Sequence, residues 1–293
     1  MTSISERTHL QATSVPPATY FVGSAVFHYL GPACAVLLFA LVEPLGVAWL
    51  RIATAAAVFA LWRKPWRHWP ELDAGERRLI FAFGATLGVM NGCFYLAIER
   101  LPLGTVAAIE FLPVIALAAL GARTTRNVLA LAVAVAGVYL LTDVRLVAEP
   151  LGFACAFANA ALFALYIVLG HRISRQPTLG GIDGLAAAML VAILVATPIG
   201  GWTAIPALTN PVVLLAAIGV GIASSVVPYV CDQLAMARMR RSTYALLVSL
   251  LPATATVIGI VVLSQIPNGQ EIAGVALVVG GVVIHRETGF RSD

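Results

Sequence analysis

Apolar residues run along this chain in unbroken stretches of about twenty, and the charged residues and most turn-formers gather between them. A helix needs about 20 apolar residues to cross a hydrocarbon core. On that length the sequence predicts helices over 17–41, 44–62, 77–98, 102–121, 125–142, 150–170, 182–203, 210–234, 242–264 and 270–286. Pro44, Pro102, Pro150 and Pro211 stand at predicted starts, where a missing N–H costs little. Trp62, Trp66, Trp69 and Trp202 stand at predicted ends, at headgroup depth, where an indole is well placed. The expected fold class is therefore an all-α polytopic membrane protein with ten transmembrane helices. Residues 1–16 are polar, carry a single Arg7 and lack the basic start of a signal peptide, so they read as a cytoplasmic tail, as do 287–293.

Composition agrees with a bilayer as the solvent. Of 293 residues, 60% are hydrophobic and 11% charged, against roughly 25% charged in soluble domains. The 18 Lys and Arg residues set the orientation. Arg51 falls inside a helix, and Arg100 and Arg145 fall in the loops of one side. The remaining 15 lie on the other side, a positive-inside bias that predicts cytoplasmic termini and an even helix count. The cysteines, Cys34, Cys93, Cys155 and Cys231, sit far apart in apolar runs without metal or redox spacing. They read as packing residues, and no cofactor or metal is expected.

An internal repeat lies at an offset of 138. Leu87–Thr105 and Ser225–Thr243 share Val, Cys, Leu, Ala, Arg and Thr, at six of nineteen positions. The match pairs the third-to-fourth helix junction with the eighth-to-ninth. Two five-helix repeats, 17–142 and 150–286, must then be inverted relative to each other, which places a substrate near the midplane between them, around a central cavity.

Each ionisable group inside a helix costs about 2.5–3.5 kcal/mol on insertion scales, so each calls for a reason. Glu110 lies near the middle of the fourth helix, three residues before Pro113, which cannot donate to the carbonyl of Ile109. It reads either as a site for a substrate ammonium or a proton, or as an interhelical hydrogen bond. Arg51, midway along the second helix, either takes a substrate carboxylate in bidentate fashion, snorkels to water, or braces Glu110. In the third helix Gly84, Gly88 and Gly92 form a small-residue face. Asn91 and Tyr95 flank it by about 20° on either side at helical pitch, as cavity lining or as packing contacts. In the second half Pro228 interrupts the eighth helix beside Tyr229, while Asp232 reads mainly as a solvated cap or a partner of Arg238. His28, in the first helix, belongs to the residue type that titrates near neutral pH and otherwise serves as a neutral donor. Asn159 and Tyr166, seven apart, share one face of the sixth helix.

The run Asn91 to Ile98, then Leu101-Pro102-Leu103-Gly104-Thr105 and Ile109-Glu110-Phe111, resembles the EamA family of the drug/metabolite transporter superfamily. Trp49-Leu50-Arg51-Ile52, Phe163-Ala164-Leu165-Tyr166 and His171-Arg172 are similar to its branch of threonine/homoserine and aromatic amino-acid exporters. The resemblance implies ten helices in two inverted halves and export of amino acids or related metabolites. Leu251-Pro252 stands where that branch often has Glu-Pro, and Ser264-Gln265 where it has Gly-Glu, so no role of those acids carries over.

The functional expectation is a secondary transporter of the cell inner membrane that exports amino acids by alternating access. Glu110, Arg51, Asn91, Tyr95, His28, Tyr166, Asn159 and Tyr229 are its candidate substrate-binding residues. Its partners would be an amino-acid-like zwitterion, the lipid bilayer and either a proton or no coupling ion, without nucleic acid, in a monomer or weak homodimer. A carrier of drugs or other metabolites is the alternative. A membrane enzyme ranks far below it, because no HExxH or paired-Asp motif is present. A channel lacks a filter-like loop.

Overall fold

A computed structural model describes residues 17–121, 124–143, 149–173, 176, 181–238 and 251–284, and every regular element among them is helical. Helix α1 spans Pro17–Leu38, α2 Pro44–Arg63, α3 Ala74–Arg100, α4 Leu103–Gly121 and α5 Thr125–Asp143. Helix α6 spans Pro150–Ile173 and α7 Ile182–Gly200, followed by a short helical turn at Ile205–Leu208. Helix α8 runs through Pro211–Gly221, a π-helical turn at Ile222–Val226, and Val227–Arg238. Helices α9, Leu251–Leu263, and α10, Gly269–Ile284, complete the order. The terminal segments 1–16 and 287–293 and the expected start of the ninth helix lie outside the described residues.

Where boundaries differ from expectation, local chemistry explains it. Helix α3 starts at Ala74 rather than 77 because Asp73 caps it. Asp73 Oδ1 accepts from Glu76 N–H at 2.7 Å, and Glu76 Oε2 accepts from Asp73 N–H at 3.0 Å, a reciprocal capping box. Helix α1 ends at Leu38 rather than 41, passing into turns in which the Leu38 carbonyl accepts from the Leu41 and Val42 N–H groups at 2.9 Å, before Pro44 opens α2. Helix α7 ends at Gly200, and Trp202–Ala204 forms a separate 3-10 turn.

Five helical stretches are long and apolar enough to cross a membrane: Pro44–Arg63, Ala74–Arg100, Pro150–Gly170, Ile182–Gly200 and Pro211–Asp232. Five shorter apolar helices accompany them: Val22–Leu38, Leu103–Pro113, Thr125–Leu140, Leu251–Leu263 and Gly269–Gly281. Large aliphatic side chains such as Leu61, Leu194, Val212 and Val261 point outward, where lipid would cover them. The helix seams are lined by small residues, Ala55, Ala130, Ala134 and Ala186 among them, as packing in a bilayer favours. Along the seam between α3 and α7, Gly84 lies against the Ala188 carbonyl and Val191, and Gly88 against Val195.

The packing follows a regular order. Helix α3 packs on α6 and α7, and α8 packs on α1 and α2. Helix α1 packs on α9, and α6 packs on α4. The pairs α2–α7, α4–α9 and α5–α10 pack as well, as do α2–α3, α4–α5 and α4–α10. Exchanging each helix for the one five places along maps most of these pairings onto one another, with α2–α3 and α4–α10 as exceptions among the described residues. At one end of the α2–α7 pair, Arg63 Nε and Nη2 donate to Asp183 Oδ1 and Oδ2 at 2.6 and 2.8 Å. With both side chains partly exposed, such a pair contributes only about 0–1 kcal/mol.

Candidate functional site

The two in-helix charges lie inside the bundle. Glu110 is 3% exposed and Arg51 4%. Tyr29 donates its hydroxyl to Glu110 Oε2 at 3.4 Å, and Asn159 donates through Nδ2 to Oε1 at 3.0 Å. Helices α1, α4 and α6 thus meet at one carboxylate. Arg51 lies within the electrostatic range of Glu110, yet no ion pair joins them among the described residues. The bracing role is therefore not taken up in this conformation.

Arg51 reaches across to α8. Its Nε donates to Ser225 Oγ and its Nη2 to the Ser224 carbonyl, both at 2.7 Å, and its guanidinium lies over the Tyr95 ring at 5.6 Å from the centroid. The sequence explains why that carbonyl is available. Pro228, four residues on, has no N–H to give it, and the backbone relaxes into the π turn at Ile222–Val226. Ser224 Oγ turns back to the Val220 carbonyl at 2.6 Å. Ser224 and Ser225 were missing from the sequence candidates, although the rule applied to Pro113 and Ile109 would have picked out Ser224 from Pro228. Tyr29 carried no signal of its own.

The other candidates divide. Asn159 is bonded to Glu110 and Tyr95 is stacked under Arg51, so both join the charged centre. Asn91 donates Nδ2 to the Leu87 carbonyl of its own helix at 2.8 Å, with Tyr229 beside it. Tyr166 stacks on Phe83 at 5.3 Å and on Phe163 at 5.8 Å, with Tyr229 at 6.1 Å and Phe111 on the far side of Phe163. These rings form an apolar wall adjoining the polar centre. His28 is half-buried, meets Tyr29 edge-on at 5.1 Å and lies in the field of Arg51. Asp232 accepts from Ser24 Oγ at 2.5 Å, an α1–α8 contact.

A separate cavity of about 280 Å³ opens between the α3–α4 turn and the α9–α10 turn, lined in part by Glu99, Arg100, Thr105, Thr256, Gln265 and Glu271. Glu99 and Arg100 are in contact there. Gln265 Oε1 accepts from the Leu103 N–H at 3.1 Å, so a side chain next to α9 caps the first turn of α4. Ser264 turns the chain into position at φ 54°. Thr105 precedes Glu110 by five residues, an axial rise of about 7.5 Å, and Val106 to Ile109 are sealed between them. Gln265→Ala removes one cross-bundle hydrogen bond and is expected to lower stability by about 1 kcal/mol, as a fall in melting temperature in detergent.

A helical bundle that holds two opposite charges in mid-helix, beside a helix interrupted by proline, has the architecture of a membrane transporter. Residues 150–285 match the EamA-like transporter family. Over 264 residues, 88% of this chain and 85% of the other, it is 33% identical to the threonine/homoserine exporter RhtA of Escherichia coli strain K12. It is 32% identical over 254 residues, 85% of this chain and 84% of the other, to RhtA of Salmonella typhimurium strain SL1344. The chain belongs to the EamA family of the drug/metabolite transporter superfamily, a family of transporters rather than enzymes. One solved crystal structure matches 91% of this chain and 97% of its own with a TM-score of 0.57 at 18% identity, a likeness of fold alone.

Proposed function

We propose that this protein exports amino acids of the threonine and homoserine class across the inner membrane, with both termini cytoplasmic. The observation that carries the reading is the pair of buried opposite charges, Glu110 and Arg51, near each other and not joined. An acid and a base buried near each other without pairing are costly to hold in a low-dielectric interior. A zwitterion offers each of them its complement at once. The relatives named as threonine/homoserine exporters support the substrate class. The five-place regularity of the packing and the weak 138-residue repeat support two inverted halves, 17–142 and 150–286, that rock against each other. Both side chains are buried, which is compatible with an occluded step of alternating access. The aromatic wall around Tyr166 would hold an apolar side chain, which brings Met and Trp into the substrate panel.

The test is flux of labelled Thr, homoserine, Met and Trp into liposomes holding the purified protein, with and without a pH gradient. Saturable flux is expected, and Glu110→Gln is expected to lower it at least tenfold, the equivalent of about 1.4 kcal/mol. Dependence on the gradient would assign a proton as the coupling ion, with Glu110 and His28 as its candidate carriers. No amino-acid flux above protein-free liposomes would overturn the reading.

A further inference from the structure

Among the described residues, two buried side-chain atoms have no hydrogen-bond partner: Tyr95 Oη and Asn159 Oδ1. Both residues are almost wholly enclosed, at 0% and 1% exposure. Leaving a buried polar group unsatisfied costs about 1–3 kcal/mol, so such atoms are rare and ask for an explanation. Each of these two adjoins one of the two buried charges. Asn159 is bonded through Nδ2 to Glu110 Oε1, and Oδ1 is the amide atom left without a partner. An orphan acceptor thus stands beside the acid. Tyr95 lies under Arg51 with Ser224 also within polar reach, and its hydroxyl meets neither of them in full hydrogen-bond geometry. A guanidinium has no lone pair to receive the phenolic proton, so the hydroxyl keeps a donor to offer beside the base.

We propose that Asn159 and Tyr95 give the site its polarity, an inference that rests on the zwitterion reading above. The substrate ammonium lies between Glu110 and Asn159 Oδ1, and the substrate carboxylate lies between Arg51 and the Tyr95 hydroxyl. An ammonium carries three donors, enough to serve a carboxylate and an amide oxygen together. A carboxylate has room for a guanidinium N–H and a phenolic O–H on its two oxygens. When the bundle opens, each orphan atom gains the partner it lacks, and the substrate is oriented end to end. Discrimination follows, because a site built to satisfy polar groups rejects analogues that leave them unmet.

Tyr95→Phe removes one oxygen and little else. Flux of labelled threonine into liposomes is competed with two analogues, the decarboxylated amine and the deaminated hydroxy acid. Tyr95→Phe is expected to weaken inhibition by threonine and by the hydroxy acid about tenfold, and to leave inhibition by the amine within about twofold. Asn159→Leu, and Asn159→Thr should the first fold poorly, is expected to give the mirror pattern, with the amine weakened and the acid unchanged. Equal shifts for both analogues in Tyr95→Phe, or a larger shift for the amine, would overturn the polarity while leaving export intact. Absence of threonine flux in the unaltered protein would instead overturn the function it rests on.

Discussion

Arg51→Met is expected to lower amino-acid flux at least a hundredfold while shifting the melting temperature by only a few degrees. The two effects separate because the energies oppose each other in the fold and add in transport. Burying the guanidinium costs about 2.5–3.5 kcal/mol on insertion scales. It recovers that through hydrogen bonds to Ser225 Oγ and the Ser224 carbonyl, each worth about 1.5–3 kcal/mol with a charged donor. The Tyr95 ring adds about 0.5–2 kcal/mol. Methionine gives up both sides of that balance and leaves the buried Ser224 carbonyl, which Pro228 cannot serve, without a donor, so the fold loses about 1–3 kcal/mol, a fall of a few degrees. Transport has no such compensation, since the carboxylate pole of the substrate loses the one buried arginine among the described residues. Arg51→Lys separates charge from shape. A single ammonium keeps the sign but lacks the planar fork that spans a hydroxyl and a carbonyl on α8. Flux between those of the other two proteins is expected, read in liposomes alongside melting in detergent. Wild-type flux in Arg51→Met would remove Arg51 from the site.

Much of the architecture was legible because a bilayer imposes a coarse rule on sequence. Long apolar runs located the long described helices, while the short helix Ile205–Leu208 fell between two predicted ones, and Pro44, Pro150 and Pro211 marked helix starts to the residue. The early start of α3 was readable too, since Asp73 and Glu76 stand three apart in a capping-box pattern. Glu110 and Arg51 stood out because a charge inside an apolar run has few structural explanations. What each touches was not legible. Arg51 meets Ser225 from 174 residues away, and Glu110 meets Asn159 from 49 away, so the contacts depend on how helices pack rather than on local pattern. Helical pitch placed Asn91 and Tyr95 on one face, yet their roles diverge. Asn91 bonds back to its own helix, while Tyr95 sits beneath the guanidinium. The π turn lay between these extremes. Pro228 announced an unserved carbonyl at Ser224, but only the fold shows which donor comes to it.

That same π turn explains why one glycine should be harder to replace than others. Gly31→Val is expected to destabilise the protein by about 3 kcal/mol or more, and Gly31→Ala by a smaller amount of the same sign. A Cβ on residue 31 of α1 would come within 2.7 Å of the Ser224 backbone nitrogen and Cα on α8. Ser224 has little room to yield, with its hydroxyl bonded to the Val220 carbonyl and its own carbonyl to Arg51. The added carbons must therefore push α1 away from α8, loosening the Ser24 contact to Asp232 and the seat of Arg51 together. Gly219→Ala, one turn earlier in α8, is the control. Nothing lies within 4 Å of its missing Cβ, so the usual gain for alanine over glycine in a helix, about 1 kcal/mol, should appear as a higher melting temperature. The same chemical change at two positions is thus expected to have opposite signs. Because the α1–α8 seam also carries the acceptors of Arg51, flux per folded molecule should fall with Gly31→Ala and hold with Gly219→Ala. A melting temperature for Gly31→Ala at or above that of the unaltered protein would show that α1 and α8 do not approach this closely at the π turn.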